Sequence, residues 1–242
     1  MESPKRFGSR GMYALFRREL SAYFQTPVAY VVAVVFLVAT SLLFFSVFFL
    51  YDRAELRRFF STLPLLLAVV IPALSMRLIA EERRRGTYEI LATLPLRTLD
   101  IVGGKFFAVW VTSIFLLVPT LFYAVTVGSI GRLDPGPVVG GYLGAILLAG
   151  AYAAVGVFAS SISRSEIVAL VVALVISLSL AFVESFVVLM PAGIAGLVQF
   201  VSSTYHFNGF ARGVVDSRSV IYLLSLTVFF LMLSHRALTA RR

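Results

Sequence analysis

The sequence contains no cysteine, only two histidines, and few charges: Asp, Glu, Lys and Arg make up 14% of its 242 residues. Each shortage excludes something. Without cysteine, no disulfide framework and no thiolate metal site can form. With so few charges the chain is not disordered, because disordered segments owe their solubility to polar and charged residues. A water-soluble domain is excluded as well. Such domains carry about 25% charged and about 45–50% apolar residues, whereas 60% of this chain is hydrophobic and its mean hydropathy is +0.95. One core of 26.5 kDa cannot hide that much apolar surface, so the solvent is lipid.

The charges lie in short clusters between long uncharged runs, at residues 20–51, 59–76, 106–131, 135–163, 167–183, 185–211 and 219–235. A spanning helix needs about 20 apolar residues to cross about 30 Å of hydrocarbon. It must also satisfy its own backbone amides, which makes these runs helices. The expected fold is an all-α polytopic membrane protein with six transmembrane helices, at 28–50, 59–79, 106–127, 138–162, 167–183 and 220–235. The whole chain, 1–242, is read as a single membrane domain. The run 185–211 starts directly after Glu184 and contains Pro191, Gly193, Gly196 and Gly209, then a polar string from Gln199 to Asn208. It reads as an amphipathic or re-entrant piece within an outer segment, 184–218, rather than a seventh span.

The net charge of +9 does not point to nucleic acid once its distribution is considered. With six spans, 15 Lys and Arg fall on the side of the termini and 6 on the other. The positive-inside rule therefore places both termini in the cytoplasm. The basic residues from Lys5 to Arg18 precede a hydrophobic stretch too long for a signal peptide, so the first span is expected to be retained.

Two segments outside the expected spans stand out. In 12–26, Tyr13, Phe16, Leu20, Tyr23 and Phe24 recur at helical spacing, with Arg17 and Arg18 on the other side. That pattern predicts an interfacial helix, aromatic face toward lipid and cationic face toward headgroups; a basic anchor serving only topology fits equally. In 80–99, the order Glu81, Glu82, Arg83, Arg84, Arg85, Gly86, Thr87, Tyr88, Glu89 precedes an apolar group of Ile90, Leu91 and Leu94, closed by Pro95. Glu81 and Arg85 suit an i,i+4 ion pair. Gly86 permits a turn, and Thr87 is a good N-cap with Glu89 against the helix dipole. A short helix of this kind suits a groove on a cytosolic partner, although a solvated loop of topological arginines has the same composition. In the outer segment, Arg212 and Asp216 are spaced to pair and Gly213 allows a tight return to the membrane, a structural turn rather than a ligand site.

Catalytic constellations are thin. His206 and His235 are expected at opposite ends of the membrane, with no paired carboxylates to complete a metal site. Gly103-Gly104-Lys105 hints at a phosphate loop, but that motif needs glycine where Leu99 stands and Ser or Thr where Phe106 stands. No catalytic residue, metal site or cofactor is expected in this chain. No carboxylate is expected near the middle of a span, which argues against an ion-coupled carrier. The small residues of the fourth span, such as Gly140, Gly144 and Gly156, suit close helix packing.

Three segments resemble the permease subunits of ABC-2 type transporters, most closely the gliding-motility-associated type and its nitrous-oxide-cluster relatives. They are Arg17-Arg18-Glu19-Leu20 through Tyr30; Met76-Arg77 through Gly86-Thr87, Glu89 and Pro95 to Gly104-Lys105-Phe106; and Phe210 through Arg212-Gly213-Val214-Val215-Asp216 to Arg236. The resemblance implies that 12–26 is a connecting, or elbow, helix. It also implies that 80–99 is a coupling segment docking on a separate ATPase subunit through Glu81, Glu82, Arg83, Arg84, Arg85, Gly86, Thr87, Tyr88 and Glu89. ATP and Mg would sit on that partner. A second copy or a sister permease would complete the pathway, and the cytoplasmic membrane of a prokaryote would be the location. Export is the implied direction. The competing reading is a non-transporting assembly subunit of an envelope complex.

Overall fold

The computed structural model describes residues 8–51, 56–88, 96–130, 134–186 and 192–240. Among these residues all regular structure is helical: α1 (Gly8–Gln25), α2 (Pro27–Tyr51), α3 (Arg57–Ser75), α4 (Ala80–Arg84), α5 (Thr98–Leu117), α6 (Leu121–Ile130), α7 (Pro135–Ile162), α8 (Glu166–Phe186), α9 (Ala192–Val201), α10 (Ser203–Ala211) and α11 (Ser217–Thr239). Six helical stretches are long and apolar enough to cross a membrane, so the chain is a multi-pass membrane protein.

The bundle is built around α7, which packs on α11, α3, α8, α10 and α5. In lipid the apolar effect does not drive helices together, so close packing of small residues has to. Helix α7 supplies them. A Cβ added at Gly140 would sit 2.5 Å from the Phe210 carbonyl oxygen, and one at Gly156 would sit 1.8 Å from Ser75 Oγ. By contrast α2, α8 and α11 bury only one side and turn Val34, Val38, Val171, Val175, Leu224 and Val228 outward.

Two boundaries beside the later site differ from the sequence expectation. The second span ends early: α3 stops at Ser75, three residues after Pro72, and residues 76–79 form a turn before α4. The third starts early, at Thr98 rather than near 106, with Asp100 Oδ2 accepting from the Arg97 amide at 3.1 Å. Starting that span after Lys105 assumed that the lysine faces water. It does not, for the reason given below.

Within the doubtful run 185–211, the described residues from Ala192 onward form two short helices of 10 and 9 residues. Ser202 separates them, its hydroxyl accepting from the Tyr205 amide at 3.1 Å and capping α10. Helix α10 is buried against α7, α8, α3 and α11, with Phe207 and Phe210 inaccessible. Neither helix is long enough to span.

Candidate functional site

Helix α1, the expected elbow, is amphipathic, as its spacing predicts, but one side of it packs on protein. Tyr13 and Phe24 are exposed, while Leu15 is buried against α5. The contact is close because α5 offers no side chains there. A Cβ at Gly103 would meet Met12 Sδ at 2.9 Å, and one at Gly104 would meet the Met12 carbonyl oxygen at 3.1 Å and Leu15 at 3.2 Å. Gly103-Gly104 is thus a helix-crossing motif. Tyr23 departs from the expected lipid-facing stripe: its hydroxyl donates to the Leu74 carbonyl at 2.8 Å, and burial raises its phenol pKa. Arg17 is exposed, and Phe16 and Leu20 are half-buried.

One helical position after the crossing lies Lys105, with no exposed surface. Its Nζ is 3.1 Å from Glu19 Oε1 and 3.0 Å from Glu82 Oε1, and it donates to the Leu78 carbonyl at 2.5 Å. Arg18 Nη2 contacts the same two carboxylate oxygens at 2.7 and 2.9 Å. Two cations and two carboxylates therefore join the elbow, the α3–α4 turn and the start of α5. A buried ammonium without partners costs several kcal/mol, roughly what the paired carboxylates offset. Burial alone would raise the Glu19 carboxyl, but the Lys105 ammonium and the Arg18 guanidinium outweigh it and hold Glu19 below its ordinary value.

That direction fixes a pH response. A lowered carboxylate contributes fully above its unfolded-state pKa, and the contribution is lost only as pH falls through the folded value. The Tm difference between the wild type and Glu19→Gln in detergent is therefore constant from about pH 8 to about pH 5.5, and narrows below about pH 4.

A second link holds the same turn to the bundle. Glu166, at the first position of α8, lies 3.1 Å from Arg77 Nε and 2.9 Å from Arg84 Nη2. From α7, Ser160 Oγ accepts from the amides of Ile79 and Ala80, each at 3.0 Å, and donates to the Met76 carbonyl at 3.2 Å. The amides freed by the break after α3 are satisfied by this one hydroxyl. Ser160→Ala leaves both donors buried and unpaired, at a cost of about 1–3 kcal/mol. A lower Tm, with faster proteolysis after Arg83 to Arg85, checks it.

The expected coupling residues are placed as follows. Glu81 Oε1 pairs with Arg85 at 2.6 Å. Glu82 faces the lysine, and the Arg83 guanidinium lies 5.2 Å over the Tyr88 ring. Gly86 has φ +71°, the turn its sequence allows. Thr87 Oγ1 donates back to the Glu82 carbonyl at 3.3 Å, closing that turn. Glu89 and the apolar group Ile90, Leu91, Leu94 and Pro95 lie outside the described residues. A cleft of about 460 Å³ separates this turn from the elbow, lined by Arg18, Glu19, Tyr23, Arg77, Glu81 and Glu82 among others. It gives the ion pairs their limited access to solvent.

With that geometry in place, the comparison with protein families is decisive: residues 54–235 match the ABC-2 family transporter proteins. The chain belongs to that family. No curated protein matches it. As an ABC-2 protein it is a membrane permease component of an ABC transporter, a transport part rather than an enzyme in itself. Membership also implies an ABC ATPase partner in general terms. The match covers α4 and the last span but not α1 or α2.

At the other end of this ABC-2 protein, Arg212 and Asp216 do not pair among the described residues. Asp216 instead caps α11, its Oδ1 accepting from the Arg218 amide at 2.9 Å. Gly213 has φ +82°, and a Cβ there would lie 2.9 Å from the backbone of Gly136 and Pro137. This segment is a return turn seated on the start of α7. His206 is buried, stacked 4.1 Å from the Tyr222 ring and hydrogen-bonded to Ser219 Oγ and the Phe200 carbonyl.

Sequence reasoning weighed Lys105 only as part of a phosphate loop and gave no role to Glu166 or Ser160. A signal for the first existed: a lysine directly after a Gly-Gly pair, opening a run of 26 uncharged residues. A cation there needs carboxylates, and Glu19 and Glu82 lie in segments expected on the same side.

Proposed function

We propose that this permease couples ATP hydrolysis on a separate ATPase subunit, which binds ATP and Mg, to movement of a substrate, most simply export. The segment from Glu81 to Glu89 would dock on that subunit, and the elbow α1 would move with it. The end of the bundle carrying the Lys105 ion pairs would face the cytoplasm of a prokaryote, with both termini there, as the bias of Lys and Arg supports. Two six-span units, either two copies or this chain with a sister permease, would frame the pathway. Within the family, the segments around Gly86-Thr87 and Arg212–Asp216 favour the gliding-motility-associated type.

One observation carries the reading. Lys105 is fully buried between Glu19 and Glu82, so a push on the α3–α4 turn reaches the elbow and the third span together. Packed elements joined by discrete ion pairs shift between arrangements instead of deforming smoothly. The test is affinity purification of the tagged chain in mild detergent. A near-stoichiometric P-loop ATPase, lost when residues 86–89 are scrambled, is the expected result. A clean permease, or an ATPase still bound after scrambling, contradicts it.

A further inference from the structure

The arginine–carboxylate pairs around the α3–α4 turn share an asymmetry. In each, the carboxylate is covered and the guanidinium is open. Side-chain exposure is 17% for Glu82 and 14% for Glu166, against 57% for Arg18 and 61% for Arg84. Glu81 is 26% exposed beside Arg85 at 65%. Lys105 and the Ser160 anchor account for the direction: they draw the acidic side of the turn inward, leaving the cationic side outward. The described surface of this turn is therefore positive, although its sequence carries Glu81 and Glu82.

We propose that the surface receiving this turn is acidic, and that the permease engages its ATPase through the guanidiniums of Arg84 and Arg85, with Arg18 beside them, rather than through Glu81 and Glu82. The inference rests on the ATPase-coupled reading above and adds the chemistry of the partner's groove. Membership of the ABC-2 family, which implies an ABC ATPase partner in general terms, favours a protein over lipid headgroups. Helix α3 has 19 residues, which at about 1.5 Å each span about 28 Å, close to the about 30 Å of hydrocarbon. The turn 76–79 and α4 follow α3, so Arg84 to Thr87 lie past the hydrocarbon. There Gly86 stands open, with nothing within 4 Å of an added Cβ. Charge complementarity at such a contact sets association rate and salt sensitivity, and salt screens it within about 8 Å at physiological ionic strength.

The experiment uses the intact permease in nanodiscs and the ATPase that copurifies with it. In one version the permease carries Arg84→Gln with Arg85→Gln, in the other Arg84→Lys with Arg85→Lys. Arg77 still neutralises Glu166 in both, so the fold is kept, and the lysine version retains charge. The expected result is affinity that falls steeply with salt in the wild type, about tenfold weaker binding with a flatter salt slope in the glutamine version, and largely restored binding with lysine. Unchanged affinity in the glutamine version, or binding indifferent to salt, overturns the inference while leaving the ATPase reading intact. Unchanged ATPase affinity together with a lost preference for anionic nanodiscs assigns the arginines to the membrane surface and equally overturns it. Failure of any ATPase to copurify with the wild type removes the underlying reading, and the inference with it.

Discussion

Lys105→Met is expected to leave the permease inserted and bound to its ATPase, yet unable to pass the ATP signal to the far end of the bundle. Methionine fills much of the volume of the buried lysine stem but supplies no charge. Glu19 and Glu82 are then left with Arg18 alone, whose guanidinium is more than half exposed and screened. Breaking a buried pair by removing one partner costs about 3–5 kcal/mol; the partial access of these carboxylates to solvent puts this site toward the lower figure. The elbow keeps its Leu15 contact with Gly104 and stays near α5, but nothing charged ties it to the turn. The expected readout is ATP hydrolysis by the complex at near wild-type rate, with the conformational response lost. Lys105→Arg, which keeps the charge but not the shape, recovers part of it.

Glu82→Lys has the second large effect, in the opposite electrostatic sense. It sets an ammonium beside Lys105 Nζ, where the native contact is 3.0 Å, with Arg18 also at hand. Three cations then share Glu19. The turn must move away from α5, and the link from α4 to α8 through Arg84 and Glu166 strains with it. Loss of assembled complex is expected in detergent, by size exclusion, together with a lower Tm. The charge-swapped double variant, Lys105→Glu with Glu82→Lys, recovers assembly better than either single change, because the pair is restored in reverse. A double variant no better than the worse single change contradicts the assignment. Reversing Glu89 as well, the other carboxylate expected at this contact, tests the part of the segment outside the described residues.

The spans were legible because lipid imposes one rule along the whole chain: uncharged runs of sufficient length must be helices. That rule gave six, and it set 185–211 apart through its glycines, Pro191 and polar string. It misplaced the start of the third span because it treats every charge as a boundary. Lys105 is a charge inside the protein, neutralised by residues 86 and 23 positions away in the chain, and a one-dimensional reading has no access to that. The same limit applies to Glu81 and Glu82. Their helical spacing was readable, but which way each carboxylate points is decided by Lys105 and by the Ser160 hydroxyl of α7. Gly103-Gly104 was noticed for the wrong chemistry: its small size serves the elbow crossing, which only the path of α1 reveals. Asp216 shows a milder version, since a residue two positions before Arg218 is both a plausible ion-pair partner and a helix cap, and the backbone selected the cap.

The central claim is that the buried Lys105 links the ATPase-facing turn to the rest of the permease. The most direct measurement uses the absence of native cysteine. A single reporter, Val214→Cys, lies exposed at the far end, and its maleimide labelling rate is followed in proteoliposomes containing the ATPase, with and without ATP. The account predicts an ATP-dependent change of several-fold in the reporter protein, abolished by Lys105→Met at unchanged ATPase content. An equal ATP response in the Lys105→Met protein would contradict it.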